Sequence, residues 1–268
     1  MASNILKVES GVQLLARLTK KSGFKIFYPS LYFDQGLEAG HVIELYGDHS
    51  TKHILQDIIT ETLIPTSTGE AESGVLLFNI NGHITFECLL DSLKRKLQKK
   101  TQYKEQNLLD YNNKLDKLLH NALKNLFILH IDDINQFYVT IQNLENVLSK
   151  NCSISLVAFD SPTAFYWSEQ DFKITKMDIY LKKILLMIQK VCKDYKVVII
   201  YTRPEYFSST KDPIEKLEKC SKHPANEQIN YRIQVVFNTS EKHYLNIQSY
   251  DKIFRREFDL LNDELILH

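Results

Sequence analysis

No charge of either sign dominates this 268-residue chain: Lys and Arg together number 33, and so do Asp and Glu. A free-standing nucleic-acid binder usually carries a positive excess, so any contact with DNA has to come from local patches or through partners. The four cysteines, Cys88, Cys152, Cys192 and Cys220, form no CxxC pair, and none stands at zinc-finger spacing from a histidine. They read as reduced thiols of an intracellular protein, not as a disulfide framework or a metal cage. No stretch approaches the roughly 18 apolar residues of a membrane span. The start, MASNILKVES, lacks the apolar core of a secretory signal. There is no clear nuclear-import cluster, no internal repeat and no low-complexity linker. What the chain does have is a hydrophobic fraction of 44%, enough for one large core.

The apolar residues are arranged in two rhythms. Ile5, Val8, Leu14, Leu15 and Leu18 recur at helical spacing, with Lys7, Arg17, Lys20 and Lys21 opposite, which predicts an amphipathic helix over 5–21. Strands are expected at 40–46, 75–78, 126–129, 154–159 and 197–200, each a continuous apolar run. Runs of that kind suit strands buried on both faces. Helices are expected between them at 54–63, 84–99, 134–149 and 172–193, and the Lys-, Gln- and Asn-rich stretch 94–124 reads as helical and solvated. Strands alternating with helices give a mostly parallel, doubly wound sheet with helices on both faces. Residues 231–238, 243–249 and 254–267 are short, β-rich and separated by polar turns, which predicts an antiparallel extension of the sheet edge. The loop 203–229, with Pro204, Pro213 and Pro224, is the least regular part by composition.

In an open α/β sheet, ligands bind beyond the carboxyl ends of the strands. The first strand runs into Gly47-Asp48-His49-Ser50-Thr51-Lys52-His53. Against the phosphate-loop pattern GxxxxGK followed by Ser or Thr, Gly47 and Lys52 match, but the segment is one residue short, no glycine precedes Lys52, and His53 stands where a hydroxyl would hold magnesium. Ser50 and Thr51 carry Cβ atoms where glycine would let the backbone wrap phosphate oxygens, and Asp48 sets a carboxylate against them. The fourth strand ends in Asp160, an acid suited to orienting magnesium through water, although a strand-end aspartate is as readily a helix cap or a partner of Ser161. After the second strand stand Asn79 and Asn81, and an amide does not act as a general base; the nearest acid, Glu87, falls inside the next helix. Grip, magnesium hydroxyl and base are altered together.

The order Gly47…Lys52, Asp160-Ser161…Ala164 and Thr202 resembles the RecA-like recombinase core. The segments Glu9–Leu18 and Phe159–Trp167 resemble, more narrowly, the paralogs of the eukaryotic strand-exchange recombinase. The resemblance covers most of the chain apart from 95–124 and 203–230. It implies an α/β RecA-like P-loop core over 41–268, with 1–40 as a helix and lead-in and no separate helical domain. It implies a nuclear subunit of a recombinase-paralog complex in homologous recombination repair of double-strand breaks and stalled forks, with other paralogs as partners, the D-type one as neighbour, and DNA met through the complex. Members of the family bind ATP and magnesium. Here Gly47, Ser50, Thr51, Lys52, His53 and Asp160 form a vestigial nucleotide site, and the expectation is no cofactor or weakly bound ATP with magnesium, no catalytic residue, no metal and no membrane. Arg203-Pro204 occupies the place of a polar pair that senses nucleotide. An active DNA-dependent ATPase using the shortened loop is the alternative.

The resemblance also marks two DNA-facing loops, 161–176 and 203–229. The second balances Arg203, Lys211, Lys216, Lys219 and Lys222 against Glu205, Asp212, Glu215, Glu218 and Glu227, which favours a solvated surface over a phosphate track. The densest basic run is Lys94, Arg95, Lys96, Lys99, Lys100 and Lys104; it reads as a solvated helix face, and with Tyr103 the only aromatic near it a stacking platform is unsupported. Phe165, Tyr166 and Trp167 are either core packing or an interface anchor. His49 and His53 lie four apart with no third ligand, so no metal site is expected there.

Overall fold

In the computed structural model, the first core strand, β1, is Val42–Gly47, six buried residues with no turn former before the glycine. The residues described are 11, 14, 37–47, 50–65, 73–80, 82–101, 108–169, 176–204, 218–223, 228–236, 243–261 and 264–268. The amphipathic segment 5–21 therefore lies almost wholly outside them. Helix α1, Thr51–Leu63, follows β1 and stops because Ile64 is held extended ahead of Pro65. Strand β2 is Gly74–Asn79, α2 is Phe86–Thr101, α3 is Leu108–Leu123 and β3 is Leu126–His130. Helix α4, Ile134–Lys150, opens on Asp133, whose carboxylate accepts the Gln136 N–H at 2.9 Å. Strand β4 is Ile154–Asp160, and α5, Met177–Cys192, begins later than the periodicity predicts. A 3-10 turn follows α5, closed by Lys196 in the left-handed region at φ +51°, and then β5, Val198–Pro204. The chain ends in β6 Tyr231–Val236, β7 His243–Gln248, β8 Ile253–Leu261 and β9 Glu264–Leu267.

The strands form one sheet in the order β3-β2-β4-β5-β1-β6-β7-β8-β9. Every pairing from β3 to β6 is parallel, and those beyond β6 are antiparallel. This is an α/β fold with a parallel core. The sequence pattern places all three terminal segments in an antiparallel edge, but β6 lies parallel to β1, with Ile43 opposite Tyr231. The third segment, 254–267, is two strands, β8 and β9, paired antiparallel. Helices α1, α2 and α3 cover one face, burying Ile54, Ile58, Leu89, Leu93 and Leu97 against Leu45, Ile200 and Ile233. Helices α4 and α5 cover the other, packing Phe137, Leu144, Ile184 and Ile188 on Phe78, Phe159 and Tyr201. Phe78 and Phe159 stack across β2 and β4 at 4.4 Å.

The stretch 94–124 is less solvated than its composition suggests. Lys96 is buried and pairs with Asp57 of α1 at 2.8 Å and Glu61 at 3.3 Å. Burial pushes the Asp57 carboxyl up to about 6 against the pull of Lys96, and the Leu265 backbone of β9 also bonds it. Leu115, Leu118, Leu119 and Leu123 of α3 pack on the core. Lysine-rich composition hides this because a buried lysine needs a partner that only the fold supplies.

Two features fix the centre of the sheet. Glu44, in mid β1 and fully buried, accepts Arg203 Nε at 3.0 Å, Arg232 Nε at 2.6 Å and Tyr201 OH at 2.9 Å. Burial alone would raise its carboxyl, but the guanidinium groups of Arg203 and Arg232 outweigh that and hold it at about 2. Gly47 has φ +151°, and a Cβ there would stand 2.4 Å from the Val235 carbonyl oxygen of β6.

Each feature makes a prediction. A carboxyl lowered from 4.5 to about 2 adds stability that is complete above pH 4.5 and is lost as pH falls towards 2. Chemical denaturation of Glu44→Gln is expected to show a loss of about 3–5 kcal/mol at neutral pH, because two buried arginines lose their counter-charge. Over the acid range the mutant's stability should fall less steeply with pH than wild type; an equal slope contradicts the assignment. Gly47→Ala is expected to cost about 1–3 kcal/mol from strain and overlap with β6, read as a lower urea midpoint.

Candidate functional site

The carboxyl ends of β1, β2, β4 and β5 bring Gly47, Asn79, Asp160 and Thr202 to one edge of the parallel core. Asp160 is the last residue of β4 and 3% exposed. Its Oδ1 accepts the Thr202 hydroxyl at 3.1 Å. Its Oδ2 lies 3.6 Å from Nδ1 of His83 and has no hydrogen-bond partner among the described residues. Burial pushes the carboxyl up, and His83, the Thr202 hydroxyl and Lys52 pull it back. Lys52, in the first turn of α1, therefore shares the electrostatic neighbourhood of Asp160, and these two members of the sequence-derived site come together.

The rest of that site is arranged by packing. Gly47 is spoken for by β6, whose backbone leaves no room for a side chain. Ser50 and Thr51 are buried at the start of α1. The Ser50 carbonyl accepts the N–H groups of His53 at 3.0 Å and Ile54 at 3.3 Å, so the backbone of His53 is engaged within the helix. Asp48 and His49 lie outside the described residues, and with them the His49–His53 spacing. Only three residues separate Gly47 from the first residue of α1.

Asn79 pairs in register with Asp160 and is equally buried. Its Nδ2 donates to the Ile84 carbonyl at 2.8 Å, leaving Oδ1 without a partner among the described residues. Asn81 is outside the described residues, and Glu87 is exposed in the first turn of α2. Sequence reasoning missed His83. The signal for it was Gly82, a glycine at φ +67° that turns the chain after β2 and sets the next side chain beside β4.

Arg203 is not a nucleotide-facing residue. Alternation along β5 sends Thr202 to Asp160 and Arg203 to the opposite face, where Glu44 holds it. The cation beside Tyr46 (5.4 Å from the ring centre) is thus part of the sheet's own charge cluster.

The loop after β4 divides the aromatic triplet. Tyr166 is buried, 5.4 Å from Tyr180, and Phe165 packs on the core of that face. Trp167 stands 63% exposed in a short 3-10 turn whose Glu169 accepts the Tyr138 hydroxyl at 2.9 Å. Of the three, Trp167 presents the most surface to solvent, its ring 4.8 Å from that of Tyr166. The basic run is mostly engaged within the chain: Lys96 with Asp57, Lys99 with Glu264, and Lys100 with the Pro65 carbonyl at 2.9 Å. Lys94 is exposed, and Lys104 lies outside the described residues. Of the second loop, Arg203 is buried, Lys219 and Lys222 are exposed, and Lys211 and Lys216 are outside the described residues. Among the described residues no three His, Cys, Asp or Glu side chains are grouped to hold a metal, and no helix is long and apolar enough to cross a membrane.

No family model matches the chain. It is similar to DNA repair protein XRCC2 of Mus musculus, 23% identical over 238 residues that cover 87% of this chain and 80% of that protein. It is also similar to DNA repair and recombination protein RadB of Methanosphaera stadtmanae, 28% identical over 91 residues, 34% of this chain and 39% of that protein. The resemblance carried by the residues and the whole-chain comparison agree: the sequence is XRCC2-like.

Proposed function

We propose that the chain is a subunit of a recombinase-paralog complex in homologous recombination repair of DNA double-strand breaks and stalled forks. It acts by protein and DNA binding, with ATPase activity lost or weak. The observation that carries the reading is similarity to a DNA repair protein along 87% of the chain, joined to a strand-end site whose chemistry is dismantled. On this reading residues 41–268 are one RecA-like core, 1–40 are its lead-in, and the protein works in the nucleus. The immediate partner is another recombinase paralog, the D-type one.

The residues present do not fit a magnesium–ATP turnover site. A phosphate loop needs backbone free to curl around oxygens, and here Gly47 is packed on β6 with three residues left before α1. The amide of Asn79 is no base, and its Nδ2 is committed to Ile84. What remains is charge: Lys52 near Asp160. That proximity is the one observation favouring the second reading, a DNA-dependent ATPase with a shortened loop.

Affinity purification of the tagged chain from its own cells is expected to recover recombinase paralogs in stoichiometric amount; recovery of none sinks the proposal. Purified chain with magnesium, ATP and single-stranded DNA is expected to hydrolyse nothing above background, and Lys52→Ala to leave partner recovery unchanged. Magnesium-dependent turnover abolished by Lys52→Ala would establish the second reading instead.

A further inference from the structure

Two buried oxygens at the ends of β2 and β4 have their companion atoms pinned and no hydrogen-bond partner of their own among the described residues. Thr202 holds Oδ1 of Asp160, which leaves Oδ2; Ile84 holds Nδ2 of Asn79, which leaves Oδ1. Both side chains are 3% exposed, and the two residues are register partners on adjacent parallel strands, so they project from the same face. An unpaired buried acceptor costs about 1–3 kcal/mol, and two side by side call for a shared donor or cation.

His83 brings the third group. Its Nδ1 is 3.6 Å from Asp160 Oδ2. That is too long for an N–H···O bond. It is close to the spacing of two ligands on one ion, since donors each about 2.1 Å from a tetrahedral centre stand about 3.4 Å apart. The histidine side chain is 52% exposed, which leaves an entry path and room for water as a further ligand. Thr202 and the Ile84 carbonyl then do what outer hydrogen bonds do around metals: they orient each ligand with its free atom inward. Gly82 at φ +67° and the buried Ile84 fix the loop that carries His83.

We propose that Asp160, His83 and Asn79 form a binding site for a single divalent transition-metal ion with mixed nitrogen and oxygen ligands, held without nucleotide. One imidazole with two oxygens favours ions of the zinc or cobalt type over magnesium, which demands oxygen and keeps its waters. Lys52 opposes the ion, because its charge acts on the same carboxylate. The inference deepens the reading of this pocket as a nucleotide site that has lost its chemistry. ATP turnover would sink that reading, whereas a titration without nucleotide bears on the ion site alone.

The test is titration of the purified full-length chain with cobalt(II), followed by visible absorption, and with zinc(II) by equilibrium dialysis. One equivalent is expected to bind. His83→Ala, at a half-exposed position and with unchanged circular dichroism, should weaken binding about tenfold or more. Asn79→Ala should weaken it in the same direction. His268→Ala, which removes the exposed pair with Asp259 at 3.0 Å, should leave it unchanged. Lys52→Ala should tighten the site by removing a repelling charge, whereas a phosphate site would loosen. Absence of stoichiometric binding, retention of wild-type affinity in His83→Ala, or loosening in Lys52→Ala overturns the proposal.

Discussion

The Glu44 carboxylate is the constraint on which the middle of this protein turns. It sits in β1, and its partners come from β5 on one side and β6 on the other. A buried ion cluster of this kind adds little net stability compared with an apolar replacement, because desolvating three charges costs much of what their attraction returns. Its consequence is specificity. Sliding β5 or β6 by one residue would strand a carboxylate or a guanidinium in the core. Arg232 extends the arrangement to the Gln248 side chain of β7 and the Glu218 carbonyl, so the pairing of β6 with its antiparallel neighbour is bound to the same centre.

This register decides what stands at the strand ends. With Leu45 opposite Thr202, β5 turns its hydroxyl towards Asp160 and its arginine towards Glu44. The two faces of one strand are therefore given to different tasks: one keeps the sheet together, the other lines the edge where a ligand would lie. Gly47 belongs to the first task. Its missing side chain is explained by the Val235 carbonyl, without any phosphate. A glycine that survives for packing is consistent with a loop whose phosphate-binding role has gone.

Much of the fold was legible in the residues. The five apolar runs became strands β1 to β5 of the parallel core; all but the edge strand β3 are buried almost throughout, which leaves no polar alternation to hide them. Asp160 was legible as a strand-end residue; Lys52, read as the lysine of a shortened loop ahead of a helix at 54–63, lies inside the first turn of α1. Other positions depended on partners distant in sequence. Lys96 looked like surface until Asp57, 39 residues earlier, was seen beneath it. Arg203 looked like part of a ligand-facing pair until Glu44, 159 residues away, claimed it. His83 was missed because its place beside β4 depends on the turn at Gly82, the one signal for it in the sequence. The parallel pairing of β6 was missed because a short β-rich run does not say which neighbour it will join.

The central claim is that this chain keeps the architecture of a nucleotide site while the nucleotide chemistry is left to its neighbours. Photo-crosslinking of azido-ATP to the complex purified from cells, with labelled peptides mapped by mass spectrometry, tests it most directly. The account predicts label on partner subunits and none on the 47–53 segment or the peptide that carries Asp160. Saturable label on that segment, removed by Lys52→Ala, would contradict it.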